Sequence, residues 1–249
     1  MHVHPNPTFS IITVTYNAAD TIEDTIQSVI SQTYHHLEYI IIDGNSKDNT
    51  LNIINRYREH ITQLVCEPDK GLYDAMNKGI QLATGDYLCF LNAGDSFHED
   101  NTLQLMVHSL RNEPHLPDVL YGETEIVDGE GHFIRMRRLS APETLTWRSF
   151  QQGMLVCHQA FFPRRILVEP YDLQYRFSAD FDWCIRILKK SKRIHNTHLI
   201  LIDYLNEGMT TQNHQASLRE RFRIMVQHYG WFKTLLYHSW FVLRLLFKK

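Results

Sequence analysis

Gly85-Asp-Tyr-Leu-Cys-Phe-Leu-Asn-Ala-Gly-Asp95 runs from a continuous apolar segment straight into a small polar turn that ends in an acid. Such a run, bounded by turn residues, has the pattern of a central parallel strand covered on both faces. In open α/β sheets ligands gather beyond the carboxyl ends of these strands, which makes Asp95 a candidate ligand group. The competing assignment is a helix cap, because Ser96, Asp100 and Asn101 stand nearby and Asp is a favoured cap.

The preceding residues repeat the strand-and-turn motif. Phe9 to Thr15 is apolar and β-branched and stops at Tyr16-Asn17, after which Asp20-x-x-Glu23 has the form of a capping box ahead of Ile22, Ile26, Val29 and Ile30. Leu37 to Ile42 ends at Asp43, and Leu51, Ile54 and Tyr57 follow at helical spacing. Leu64 to Cys66 leads into Glu67-Pro-Asp-Lys-Gly71, then Leu72, Ala75, Met76, Gly79, Ile80 and Ala83 mark one helix face. Four such units predict a parallel sheet with right-handed crossovers; the period stops near residue 112. Polar groups recur at the exits: Thr15, Tyr16 and Asn17, then Asp43, then Asp69 and Lys70, then Asn92, Ala93, Gly94 and Asp95. A strand-end Asp43 can accept hydrogen bonds from a nucleoside or fix its own turn with Asn45 and Ser46. Neither GxGxxG nor GxxxxGK[ST] occurs, so phosphate charge falls to a metal or to basic side chains. Mg²⁺ and Mn²⁺ suit one or two carboxylates together with substrate phosphates.

Composition narrows the classes. With 249 residues, 43% of them hydrophobic, the chain can bury one large core with a small appendage. The net charge of -3 conceals a basic tail in which Arg219, Arg221, Arg223, Lys233, Arg244, Lys248 and Lys249 face one acid, Glu220. The remaining body is acidic, which argues against nucleic acid as a partner. Cys66, Cys89, Cys157 and Cys184 stand singly, so they suggest neither a zinc site nor a disulfide framework and fit a reducing, cytoplasmic setting. The first residues lack the pattern of a signal peptide.

Phe9-x-Ile-x-Thr-Val-Thr-Tyr-Asn17, Ile41-Ile-Asp43-Gly-Asn-Ser-Lys-Asp-Asn-Thr50 and Leu91-Asn-Ala-Gly-Asp95 together resemble the GT-A domain of inverting family 2 glycosyltransferases. Glu67-Pro-Asp-Lys-Gly-Leu-Tyr-Asp-Ala-Met-Asn-Lys-Gly79, Cys157-His-Gln-Ala160 and Ser178-Ala-Asp180 are similar to bacterial exopolysaccharide and O-antigen transferases of the colanic-acid group. The resemblance implies an α/β GT-A fold with a mainly parallel sheet flanked by helices, and transfer of a sugar from a UDP- or GDP-sugar to a glycan or lipid-linked glycan. It places Thr15 and Asp43 at the nucleoside, Asp69 and Asn77 in the nucleotide-sugar pocket, and Asp95 on a metal bridging the diphosphate. The family's turn is usually DxD or DxDD, whereas Asn92 occupies its first position here. Metal binding then draws on Asp95 and a histidine, His158 or His214, each with a plainer alternative as a core or loop group. Residues 1–215 form the expected catalytic domain, divided into a nucleotide half 1–112 and an acceptor half 113–215, with 216–249 as an amphipathic helical tail.

Inverting transfer requires a base for the acceptor hydroxyl. Phe177-Ser-Ala-Asp180-Phe-Asp182-Trp183 offers two carboxylates at a helix start, where capping is the alternative use. The family motif aligns with Asp180, although its usual preceding Glu is Ala179, so Asp180 is the expected base and Asp182 the second choice. Thr124–Val127 and His132–Met136 flank a hairpin turn. The tail is too short and too interrupted to span a bilayer, and its aromatic and basic residues fit an interfacial helix on the inner membrane surface. Docking on the catalytic domain, or on a second copy in a homodimer, is the other use. A non-catalytic sugar-binding protein and a nucleotide-sugar nucleotidyltransferase are the rival functions.

Overall fold

A computed structural model describes residues 6–206 and 214–246, with side chains for 6–206 and 215–239. The first half alternates strand and helix: β1 Phe9–Thr15, α1 Ile22–Ile30, β2 Leu37–Asp43, α2 Thr50–Arg56, β3 Gln63–Cys66, α3 Leu72–Leu82 and β4 Tyr87–Phe90. These strands make a parallel sheet in the order β3-β2-β1-β4. All seven residues of β1 are buried, as expected for a strand covered by helices on both faces. Helix α3 lies close upon it, since a Cβ at Gly79 would come 2.4 Å from Ile12 Cγ2. At the opposite edge Glu38 accepts hydrogen bonds from Ser10 Oγ, Thr84 and Gly85 N, which sets the entry of β4.

The expected capping box does not form. Helix α1 begins at Ile22 with no side-chain cap, and Glu23 instead accepts from Arg56 Nη2 at 2.8 Å and the Tyr57 hydroxyl at 2.5 Å. Tertiary partners from α2 have outcompeted the local motif.

Beyond β4 come β5 Ser96–Phe97, α4 Thr102–Ser109, β6 Val119–Val127, β7 Phe133–Met136, β8 Phe161–Pro163, α5 Ala179–Lys190, β9 Ile194–Leu205, α6 His214–Tyr229 and α7 Trp231–Leu246. A second, mixed sheet has the order β5-β9-β6-β7, with β8 also on β6. Strands β6 and β9 are parallel, and the expected hairpin is β6–β7. The two sheets meet where Tyr87 bridges Arg164, just after β8. Helix α6 packs on α5 through Ser178 and Ser217, and Glu220 accepts from the N–H groups of Arg176 and Phe177. The expected boundary between residues 215 and 216 thus falls inside α6. No helix among the described residues is long and apolar enough to cross a membrane.

Candidate active site

Thr15, Asp43 and Cys66 lie side by side in register at the carboxyl edge of the first sheet. Asp43 is fully buried: its oxygens accept from Ser46 N at 2.9 Å, Ser46 Oγ at 2.5 Å and Cys66 Sγ at 3.2 Å. Its carboxylate therefore fixes its own turn. Asn17 does similar work, accepting from Lys47 N at 2.8 Å while its own N–H donates to Ser46 Oγ, so the loops after β1 and β2 are fastened together. Both Asn17 and Asn45 adopt positive φ, a conformation Asn tolerates better than most residues. The groups left facing outward are Tyr16, 61% exposed, and Asp69; a Cβ on Gly44 would meet Asp69 Oδ2 at 2.4 Å and Tyr16 Cδ2 at 3.3 Å. A ring and a carboxylate thus flank a glycine floor beside the buried Thr15 Oγ1, which has no hydrogen-bond partner among the described residues.

Two further expected pocket residues, Lys70 and Asn77, lie just before and within α3. Asn77 clamps α3 to the backbone of Tyr171, accepting from its N–H at 2.7 Å and donating to its carbonyl at 3.1 Å. Lys70 is exposed, and its N–H donates to Asp74 Oδ2. The Asn77 side chain is engaged by Tyr171 through these contacts, whereas for Lys70 it is the backbone that is engaged.

Asp95 is not a helix cap. It is followed by β5, and α4 starts only at Thr102 behind Asn101. The turn hangs on α1, where buried Thr25 Oγ donates to the Asp95 carbonyl at 2.8 Å and accepts from Gly94 N at 2.9 Å. Gly94 needs its small size as well as its positive φ, because a Cβ would come 2.8 Å from Leu205 Cδ2. Asp95 itself is 4% exposed, with Oδ2 accepting from Gln159 Nε2 at 2.7 Å and Oδ1 from Leu205 N at 3.3 Å. Burial pushes its carboxyl up to about 7, against the lowering effect of those two hydrogen bonds.

Mn²⁺ or Mg²⁺ fits this turn. Asn92 Oδ1 is buried in it without a hydrogen-bond partner among the described residues, and an amide oxygen together with a carboxylate is a donor set that a hard divalent cation accepts. Asp95 and Asn92 would hold such an ion, with one formal charge between them.

His158 departs from expectation. It is 6% exposed, its Nε2 is engaged by the Tyr171 hydroxyl, and its ring stacks on Phe90 and meets Trp183 edge-on. Burial pushes it down to about 4, despite the opposing charge of Asp180, so it is a neutral core group. The residue that reaches Asp95 from this segment is its neighbour, Gln159. The side chain of His214 lies outside the described residues.

The two candidate bases point in different directions. Asp180, in the first turn of α5, accepts from the Tyr73 hydroxyl at 3.0 Å and is half-buried. Asp182 is 2% exposed, with one oxygen 2.7 Å from His228 Nε2 and the other accepting from Arg186 Nε at 2.7 Å. Both of its oxygens are thus engaged, one across to α6 through His228 and the other within α5 by Arg186. Burial pushes the Tyr204 hydroxyl on β9 upward, and the charges of Asp95, Cys157 and Asp180 add to that shift. Arg221 of α6 adds a cation: it lies near Tyr73 and over the Phe181 ring, with a buried Nε lacking a hydrogen-bond partner among the described residues. Tyr73, Gln159 and Arg221 were missed as site residues, although Tyr73 and Gln159 stand inside the two segments that carried the resemblance.

Residues 10–169 match the sequence model described as Glycosyl transferase family 2. The chain belongs to that family. This family 2 protein is 34% identical over 209 residues to the "PGL/p-HBAD biosynthesis glycosyltransferase" of Mycobacterium bovis (strain BCG / Pasteur 1173P2), covering 81% of this chain and 78% of the relative. Its fold is GT-A-like: Staphylococcus aureus TarS 1-349 in complex with UDP superposes with a TM-score of 0.69 at 18% identity, over 89% of this chain and 66% of that one, just under two thirds of the TarS chain. The mannosyltransferase PcManGT from Pyrobaculum calidifontis, in complex with GDP-Man and Mn²⁺, gives 0.59 at 19% identity over 89% of this chain and 63% of its own.

Proposed function

We propose that this family 2 glycosyltransferase moves a sugar, with inversion, from a nucleoside diphosphate sugar to an acceptor hydroxyl during assembly of a bacterial surface glycan. The observation that carries the reading is Asp180, half-buried and held at one oxygen by the Tyr73 hydroxyl, with no partner for the other oxygen among the described residues. UDP- and GDP-sugars bound by proteins of the same fold support the donor class.

Tyr16 and Asp69 border the nucleoside site, with Thr15 Oγ1 offering a hydrogen bond and Asp43 holding the floor rigid. Mn²⁺ or Mg²⁺, when bound, supplies charge neutralisation for the departing diphosphate. Gln159 keeps the Asp95 carboxylate oriented, and the Arg221 guanidinium adds positive charge from α6. Asp180 takes the acceptor proton through its open oxygen, while the Tyr73 hydrogen bond fixes the rotamer of the carboxylate. Asp182 takes no part in proton transfer.

The chain is further proposed to work at the inner membrane surface. Trp231, Phe232, Leu235 and Leu236 form an exposed apolar face on α7, while Thr234 and Tyr237 turn toward the body, and the tail's basic excess complements anionic lipid.

Thermal stabilisation by UDP-, GDP- and dTDP-sugars with Mn²⁺ identifies the donor. Asp180→Asn should keep that stabilisation and lose about 10²- to 10⁴-fold in transfer. Undiminished transfer by this variant removes Asp180 as the base.

A further inference from the structure

A second cluster of ligating groups lies on the mixed sheet, beyond the Asp95 turn. His98, which follows β5, donates its N–H to the Leu201 carbonyl of β9 at 3.1 Å. Glu125 of β6 stands directly opposite Asp203 of β9 in the parallel register. Backbone ladders therefore set all three positions. His98 Nδ1 is 2.8 Å from Asp203 Oδ1 and 3.7 Å from Glu125 Oε1, and one ligand atom from each residue lies within 4.8 Å of the others.

Two carboxylates facing each other across a ladder repel. Both are mostly shielded, Glu125 being 12% and Asp203 17% exposed, so water screens them poorly. Among the described residues no Lys or Arg pairs with either; the imidazole is their only ionic partner. Its ring is 27% exposed, which leaves an edge open to solvent.

We propose that His98, Glu125 and Asp203 bind a divalent transition-metal ion of the Zn²⁺ class, with water completing the coordination. One imidazole nitrogen and two carboxylates are ligands that zinc accepts, whereas Mg²⁺ favours oxygen alone. Metal–ligand bonds of about 2.0–2.2 Å in a tetrahedral site separate neighbouring ligand atoms by roughly 3.4 Å. The 2.8 and 3.7 Å separations bracket that value, so small side-chain shifts admit the ion. The site staples β5, β9 and β6 together three residues beyond Asp95. It is separate from the diphosphate-metal turn and needs no donor.

The test uses the full chain, free of metal and without nucleotide sugar. Zn²⁺ binding is measured by calorimetry, and Co²⁺ as a probe by its visible absorption. Wild type and Asp95→Asn should each bind one more equivalent than Glu125→Gln/Asp203→Asn, which keeps the side-chain shapes and removes the charge. The Co²⁺ absorption and the rise in Tm on adding Zn²⁺ should vanish in the double variant, whose metal-free form should melt no lower than wild type. His98→Asn is the second variant should the pair not fold. Equal stoichiometry and equal Co²⁺ spectra across these proteins would overturn the proposal, assigning the cluster to a structural contact between β5, β6 and β9.

Discussion

Asp95 shows how burial of a carboxyl can work against the stability of the unliganded fold. Its carboxyl rises from an ordinary 3.8 to about 7 because burial penalises the charge more than Gln159 and Leu205 N–H relieve it. A folded pKa above the unfolded one means that its favourable contribution is complete below about pH 4 and is lost as pH rises through 7. Asp95→Asn should therefore raise the stability of the unliganded protein at pH 8, with about 4 kcal/mol as the ceiling for a shift of about three units. The same variant should lose stabilisation by Mn²⁺ with donor; urea titrations with and without ligand check both signs. That Asp95 ends a buried strand was legible in the apolar run before it. Its partners were not, because Gln159 and Leu205 lie 64 and 110 residues away and carry no local signal.

At the scale of the element, α5 shows why two nearby acids receive different work. Asp180 and Asp182 are two positions apart, and side chains at that spacing on a helix do not face the same way. One meets Tyr73 of α3, the other meets His228 of α6 and Arg186 of its own helix. Burial raises Asp182, but hydrogen bonds from His228 and Arg186 outweigh it and hold the carboxyl below its ordinary value. That contribution is present above pH 3.8 and lost as the carboxyl protonates at lower pH. His228→Ala should cost about 1–3 kcal/mol near neutrality by leaving a buried acceptor short of a partner. Chemical unfolding measures the loss, and donor binding to the folded variant should remain. The helix start at Ala179 could be read from the apolar spacing of Phe181, Cys184, Ile185 and Leu188. The local capping box at Asp20 misled, since Glu23 found stronger partners on a neighbouring helix.

Across the whole molecule, the parallel half was legible because each buried strand and amphipathic helix carries its own period. The mixed half was less so: β5 has two residues, β8 three, and both exist only through pairing with β9 and β6. The exposed aromatic face of α7 makes a further prediction at this scale. The chain should cosediment with phosphatidylglycerol vesicles, more weakly at raised salt. Trp231→Ser/Phe232→Ser should abolish sedimentation and leave transfer to a water-soluble acceptor intact; sedimentation unchanged by that variant would assign the face to another contact. From the chain alone came the four strand–helix units, the acid-ended turn and the family, because hydrophobic period and turn chemistry are local. Tertiary structure decided which acid meets Tyr73 and which is locked in an ion pair, that His158 is packed and neutral, and that three strands bring His98, Glu125 and Asp203 together. Burial and partner choice act through space, between residues whose sequence separation conceals them.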